Sequence, residues 1–260
     1  MNLKFLKFSI AAVILIYMVI YGGLYIFQRS FLYFPTPEVQ HPDAEAIYIE
    51  NDVARIKLWK AGTGSKKAIL YFGGNAEEVS RNITPFLQHL TTYDIYLMNY
   101  RGFSGSTGSP NETALYIDAL SLYDLAAKDY DDISVIGRSL GSGVATYVAA
   151  NREIEKLFLI TPYDSIENVA QSKFPFVPVS LLLHDKYNSA ARAHKIDAET
   201  LIVMAENDGV IPLHFTEALI RQFGAPAPQI HQIPGTHHLT VSNPPLFWRI
   251  LGDFFDPHDV

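Results

Sequence analysis

The sequence predicts an α/β protein: a mostly parallel β-sheet with helices on both faces, preceded by an apolar helix at the N-terminus. Three observations carry this. Short apolar runs alternate with longer helical patterns along most of the chain. Most of those runs lack the polar alternation of half-exposed strands, as expected when helices cover both faces of a parallel sheet. Phe8 to Phe27, 20 residues, contains no charged side chain.

The N-terminal segment comes first. As a helix, Phe8–Phe27 spans ~30 Å, the thickness of a bilayer core. Lys4 and Lys7 precede it, Arg29 follows, and Tyr21 and Tyr25 lie near its far end, where amphipathic rings favour an interface. A cleaved signal peptide is the alternative, but the run is long for one and no small-x-small site follows. A buried core helix is the third reading, opposed by Pro35 and Pro37, which separate the segment from the rest. Residues 1–34 are therefore expected to form a single-pass membrane anchor and juxtamembrane segment, and 35–260 the remaining domain. Two lysines and the free amine before the span favour an inside N-terminus, which puts that domain on the non-cytoplasmic side.

In the remaining 226 residues, alternation in Ala46–Ile49 and Arg55–Trp59 predicts an antiparallel pair at a sheet edge. Strands follow at Ala68–Phe72, Ile95–Met98, Ile133–Ile136, Leu157–Ile160, Leu201–Met204 and Gln229–Ile233. The intervening helices are expected near Val79–Leu90, Thr113–Lys128, Leu140–Ala150, Thr216–Phe223 and Pro245–Phe255. Residues 163–200, rich in Phe, Pro and Leu, interrupt the rhythm. They suggest a lid or cap insertion over a pocket, or a helical excursion packed on the core.

Composition narrows the chemistry. A formal charge of −7 without a Lys/Arg cluster argues against nucleic acid as a partner. The absence of cysteine removes disulfides, thiolate metal sites and a cysteine nucleophile. No H-x-x-x-H pair exists, and the glycine-rich stretch Gly102–Gly108 lacks the Gly-Lys-Ser/Thr ending of a phosphate loop. Neither a metal nor a cofactor is expected.

Gly137-Arg138-Ser139-Leu140-Gly141 matches G-x-S-x-G. Five residues are weak evidence alone, but this set follows an apolar strand and opens a helical segment, the setting of a nucleophile elbow. A serine hydroxyl needs a base, oriented by a carboxylate, both later in the chain. The loop after Leu201–Met204 offers Asp208, and the loop after Gln229–Ile233 offers His237 and His238. Loops at the carboxyl ends of parallel strands share one sheet edge, so their side chains can converge. Ser139, Asp208 and His237 are the expected catalytic residues; Asp164 and Glu206 are the alternative acids and His238 the alternative base. For the oxyanion, the backbone amide of Leu140 and that of Asn75, in the loop Phe72-Gly73-Gly74-Asn75-Ala76, are the candidate donors.

Together these residues resemble the α/β-hydrolase superfamily. The loop Phe72–Ala76 is similar to the His-Gly-Asn-Ala-Gly loop of its membrane-anchored α/β-hydrolase-domain branch, some members of which remove palmitate from proteins. Asn99–Gly108 is similar to the branch's Asp-Tyr-Arg-Gly-Tyr-Gly-x-Ser-x-Gly stretch, and Thr161-Pro162-Tyr163-Asp164-Ser165 to its Ser-Pro-Phe-x-Ser segment. Gly73 stands where the branch has a histidine, Glu77 where it has a glycine, and His238-Leu239 where it has Asn-Asp. The resemblance implies a serine hydrolase of esters or thioesters working through an acyl-enzyme, on a small-molecule or lipid-like substrate. A serine peptidase with the same three residues is one alternative. A non-catalytic, hydrolase-like scaffold that binds an apolar ligand or partner at the membrane is the other, motivated by the two loop departures.

Overall fold

A computed structural model describes residues 3–51, 53–62 and 64–256. The first two and last four residues of the expected domains lie outside these. An eight-stranded sheet forms from β1 (Glu45–Asn51), β2 (Ala54–Ala61), β3 (Lys67–Phe72), β4 (Asp94–Met98), β5 (Asp132–Arg138), β6 (Lys156–Ile160), β7 (Glu199–Ala205) and β8 (Gln229–Ile233). Its order is β1-β2-β4-β3-β5-β6-β7-β8. β2 runs antiparallel to β1 and β4; all other pairs are parallel. This is the mostly parallel sheet with an antiparallel edge pair that the alternating runs predict.

Helices cover both faces. α3 (Glu112–Ala126), α4 (Leu140–Ala149) and α8 (Leu213–Ile220) pack on one face, burying Leu115, Val144 and Leu219 against Leu70, Phe72 and Val135. α2 (Ile83–His89), entered through the 3-10 turn Val79–Asn82, and α9 (Pro245–Phe255) cover the other, against Ile69, Tyr71 and Phe158. Successive strand residues point to opposite faces, so both kinds of position must be apolar. Local chemistry sets the helix starts. The Asn111 side chain caps α3 by accepting from the Ala114 amide at 2.9 Å, and Pro245 opens α9 where a missing N–H does no harm.

Two segments stand outside this frame. α1 runs from Leu3 to Leu32, longer at both ends than the charge-free span, because Lys4, Lys7 and Arg29 are themselves good helix formers. Within it, Lys7–Leu32 contains an 18-residue window of mean hydropathy 2.3 and is long and apolar enough to cross a membrane. Residues 163–200 hold three short helices: α5 (Ile166–Lys173), α6 (Val179–Leu182) and α7 (Ala190–Ala193). Tyr163, Tyr187, Ala193 and Ile196 join the core, while Phe174, Phe176 and Leu181 are exposed at 58%, 91% and 80%. The excursion is thus packed at its ends and apolar at its tip. That tip lies against α1, where the Tyr21 hydroxyl donates to the Phe176 carbonyl at 3.2 Å.

Phe158 is fully buried and its ring meets Phe247, Phe254 and Phe255 at 5.8–6.0 Å. Phe158→Ala is expected to destabilise the domain by about 3–5 kcal/mol, read as a fall in the thermal unfolding midpoint of the detergent-solubilised chain.

Candidate active site

The site gathers at the carboxyl ends of β3, β5, β7 and β8. Parallel register sets Phe72 beside Gly137, and β5 lies next to β6, which lies next to β7. β5 turns sharply into α4 at Ser139, whose φ of 49° and ψ of −117° put a side-chain-bearing residue in a strained region, at a cost of about 1–3 kcal/mol. Close packing over-determines that turn. A Cβ on Gly141 would stand 2.0 Å from the Phe72 carbonyl oxygen, and one on Gly137 would stand 2.5 Å from the Ala145 Cβ. The Ser139 amide donates to the Ile160 carbonyl at 2.9 Å, and its own carbonyl accepts from the Ser142 amide and hydroxyl. The turn is pinned from both sides, with the hydroxyl outward.

Ser139 Oγ lies 2.8 Å from His238 Nε2, and His238 Nδ1 lies 2.8 Å from Asp208 Oδ2. With Nδ1–H donating to the carboxylate, Nε2 is the acceptor facing the serine hydroxyl. The imidazole and carboxylate side chains are only 7% and 2% exposed. The other Asp208 oxygen, Oδ1, accepts from the Val210 and Ile211 amides at 2.9 and 2.7 Å, which fixes the carboxylate and satisfies its buried lone pairs.

This corrects the expected base: the structure sets His238, not His237, between Ser139 and Asp208. His237 is exposed, with Nδ1 2.9 Å from the Asn207 carbonyl. The reason is local. The Asn207 amide donates to the Thr236 carbonyl, and the His237 amide and carbonyl are both engaged by Thr240. That turn sends His237 out over the Asp208 loop and His238 in. The alternative acids stand elsewhere. Asp164 accepts from the Ser165 amide and the Asn168 side chain at the start of α5. Glu206 Oε2 accepts from the Gly235 amide at 2.7 Å, bracing the histidine loop from below.

The loop after β3 passes beside the nucleophile: a Cβ on Gly74 would lie 3.6 Å from Ser139 Cβ. Leu140 opens α4 next to Ser139, in the first turn, where an amide has no acceptor one helical turn earlier. The Asn75 side chain is spent on the end of α1, with Oδ1 accepting from the Phe34 amide at 3.0 Å and Nδ2 donating to the Leu32 carbonyl at 2.7 Å. Both departures from the resembled loop have structural reasons. A Cβ on Gly73 would meet Val79 Cγ1 at 2.5 Å, so no histidine fits there without moving Val79. Glu77 is a brace: it accepts from the Gly74 amide, the Tyr71 hydroxyl and Asn82 Nδ2 at 2.5–2.6 Å. Burial, reinforced by the Glu77 charge, pushes the Tyr71 phenol well up, so it stays a donor.

Arg138, at the first of the two variable positions of the G-x-S-x-G pattern, is a site residue that sequence reasoning does not single out. Its guanidinium sits 3.8 Å from Glu77 and donates to the Leu239 carbonyl at 3.3 Å. One side chain from the elbow therefore touches both the β3 loop and the histidine loop. Only its position inside the motif could have flagged it. Among the described residues, no group of three or more His, Asp or Glu side chains is placed to hold a metal ion.

Sheet order, strained elbow and converging loops define the class: this chain is an α/β-hydrolase-fold protein. Residues 67–178 match the family model for the alpha/beta hydrolase fold. Among curated proteins, an uncharacterized protein of Mycobacterium tuberculosis is 29% identical over 81% of this chain and 80% of its own length. Protein bem46 of Schizosaccharomyces pombe is 23% identical over 98% of the chain and 94% of its own length. The lysophosphatidylserine lipase ABHD12 of Gallus gallus is 28% identical over 79% of the chain, which spans only 63% of that longer protein. Among solved structures, the Pyrococcus furiosus esterase Pf2001 superposes with a TM-score of 0.68 at 15% identity, covering 85% of this chain and 98% of that one. Est1E from Butyrivibrio proteoclasticus, with ferulic acid bound, gives 0.67 at 17% identity, covering 80% and 97%.

Gly141→Ala forces its methyl into the Phe72 carbonyl. The expected outcome is a loss of about 1–3 kcal/mol in stability, measured by chemical unfolding against a Gly209→Ala control, whose added Cβ meets nothing within 4 Å.

Proposed function

We propose that this chain is a membrane-tethered serine hydrolase that cleaves an ester or thioester of a lipid-like acyl compound. The observation that carries the proposal is the hydrogen-bonded chain Ser139–His238–Asp208. His238 Nε2 takes the serine proton as Oγ attacks the carbonyl carbon, and the imidazolium is stabilised by Asp208. The tetrahedral oxyanion is held by the backbone amides of Leu140 and Asn75, the first aided by the positive end of α4. Collapse expels the alcohol or thiol, which takes its proton from His238 and leaves an acyl-serine. Water, deprotonated by His238, then attacks that acyl group, and Ser139 leaves with the proton returned.

Several features support the lipid side of this reading. α1 is long and apolar enough to span a bilayer, and the apolar tip of the 163–200 excursion is exposed beside it. A relative of similar sequence is named for lipase activity on lysophosphatidylserine. The loop departures that favoured a non-catalytic scaffold are accounted for by Val79 packing and the Glu77 brace. Residues 1–34 then act as anchor and juxtamembrane segment and 35–260 as the catalytic domain. Lys4 and Lys7 ahead of the span favour the non-cytoplasmic side for that domain.

A fluorophosphonate probe is expected to label the wild type and not Ser139→Ala; an unlabelled but folded wild type would sink the proposal. His238→Ala should lower kcat by about 10⁴-fold or more on a short p-nitrophenyl ester. His237→Ala should stay within about tenfold, since it leaves base and acid in place. A large loss in His237→Ala alone would return the base to that residue. For topology, a C-terminal reporter should be active on the non-cytoplasmic face, and cytoplasmic activity would reverse the assignment.

A further inference from the structure

Between α1 and the α5–α6 excursion lies a cavity of about 440 Å³. Leu24, Phe31 and Leu32 form its α1 wall, and Ala170, Val179 and Leu182 are among the residues opposite. Gln28 is the one polar lining residue, and its amide is fully spent on backbone. Its Nε2 donates to the Tyr25 and Leu182 carbonyls, and its Oε1 accepts from the His184 amide. The walls thus offer a ligand hydrocarbon contact and almost nothing else.

A short run of contacts links the cavity wall to the nucleophile. Leu32 lines it, and the Leu32 carbonyl accepts from Asn75 Nδ2 at 2.7 Å. Asn75 follows Gly74, where an added Cβ would lie 3.6 Å from Ser139 Cβ. One wall of the cavity belongs to the helix proposed to enter the bilayer, and exposed Phe174 is among its lining residues. Three further cavities lie away from the nucleophile, each lined by Asp94, Glu199 or Lys156 at a strand start, on the opposite rim of the sheet. Between α1 and the excursion there is apolar room for one chain, within the size range of a single-ligand pocket.

We propose that this groove is the acyl-chain subsite for a monoacyl lipid ester, one wall of which is the membrane helix itself. The proposal rests on the hydrolase reading and adds where the hydrocarbon lies: carbonyl at Ser139, chain passing Leu32 and running between α1 and α5–α6 toward the bilayer. Burying each further methylene there favours long chains over short ones.

The test uses the full chain in phosphatidylcholine vesicles. Ala170→Trp, which fills the groove from α5, is expected to lower the ratio of kcat/KM for p-nitrophenyl palmitate to that for p-nitrophenyl butyrate by about tenfold or more. A second measurement does not depend on that variant folding. With Ser139→Ala to prevent turnover, a 1-acyl lysophospholipid carrying a diazirine in its chain should photolabel peptides within residues 24–32 and 166–183. An unchanged ratio in a folded Ala170→Trp, or label confined to other peptides, overturns the subsite while butyrate turnover leaves the hydrolase reading standing. If the wild type cleaves neither ester and escapes the fluorophosphonate, it is the hydrolase reading that fails. Faster turnover of a palmitoylated peptide than of 1-palmitoyl lysophospholipid overturns the assignment to a monoacyl lipid.

Discussion

The site depends on how closely α4 approaches the end of β3. Gly141 sits where a single added carbon would overlap the Phe72 carbonyl, and this contact leaves the chain no gentler path from β5 into the helix. The serine must then take a left-handed φ, which L-residues avoid, and the strain persists because sheet and helix enforce it. The same contact brings the β3 loop against Ser139, since the loop starts at the residue α4 touches. The β3 loop and the Ser139 hydroxyl are positioned by one packing event rather than by two separate ones.

The remaining partners arrive on loops that are rigid for a different reason. Asp208 and His238 come from β7 and β8, which are paired side by side. Beyond the last ladder bonds the two loops continue to pair, through Asn207 to Thr236 and Glu206 to Gly235. Arg138 then links this unit back to the elbow through the Leu239 carbonyl. Backbone donors hold the buried carboxylate, so its charge is compensated before the histidine is counted. Geometry of this kind is pre-organised, which is what transition-state stabilisation by fixed dipoles requires.

How much of this the sequence reveals follows from what each feature depends on. The strands are legible because burial on both faces demands unbroken apolar runs, and the sheet's parallel character follows from the helices between them. The elbow is legible because Gly137 and Gly141 are fixed by steric contact. Asp208 is legible because it follows a strand on the right edge. The histidine is less legible: the sequence favours His237, whereas His238 is the one that lies between Ser139 and Asp208. Two adjacent histidines share composition and spacing, and only the Thr236–Thr240 turn, a tertiary arrangement, sends one inward and the other out. Glu77 shows the same limit. Its carboxylate, standing where the resembled loop has a glycine, helps motivate the non-catalytic reading, yet Tyr71, Asn82 and the Gly74 amide consume it, and none of those contacts is visible in a linear pattern. Helix ends differed by a few residues where capping, as at Asn111, outweighed periodicity.

The junction between α1 and the domain shows that the apolar helix is more than an appended tether. Asp185, 5% exposed, accepts from Arg29, the Tyr33 hydroxyl and the Glu112 amide. Burial and the adjoining Asp185 charge push the Tyr33 phenol up, so it remains a proton donor to that carboxylate. Immediately beyond, Asn75 clasps the helix end through both its amide atoms, and Asn75 is the residue whose own backbone amide is proposed to meet the oxyanion. A buried, hydrogen-bonded carboxylate tolerates little displacement, because an uncompensated charge left in the interior is costly. The helix end is therefore held in register with the β3 loop, so that α1, if it enters a bilayer as proposed, would orient the site through these side chains rather than through a flexible linker. A substrate whose hydrocarbon lies along that helix would reach the nucleophile in a fixed direction, which is how an anchor can contribute to specificity as well as to location.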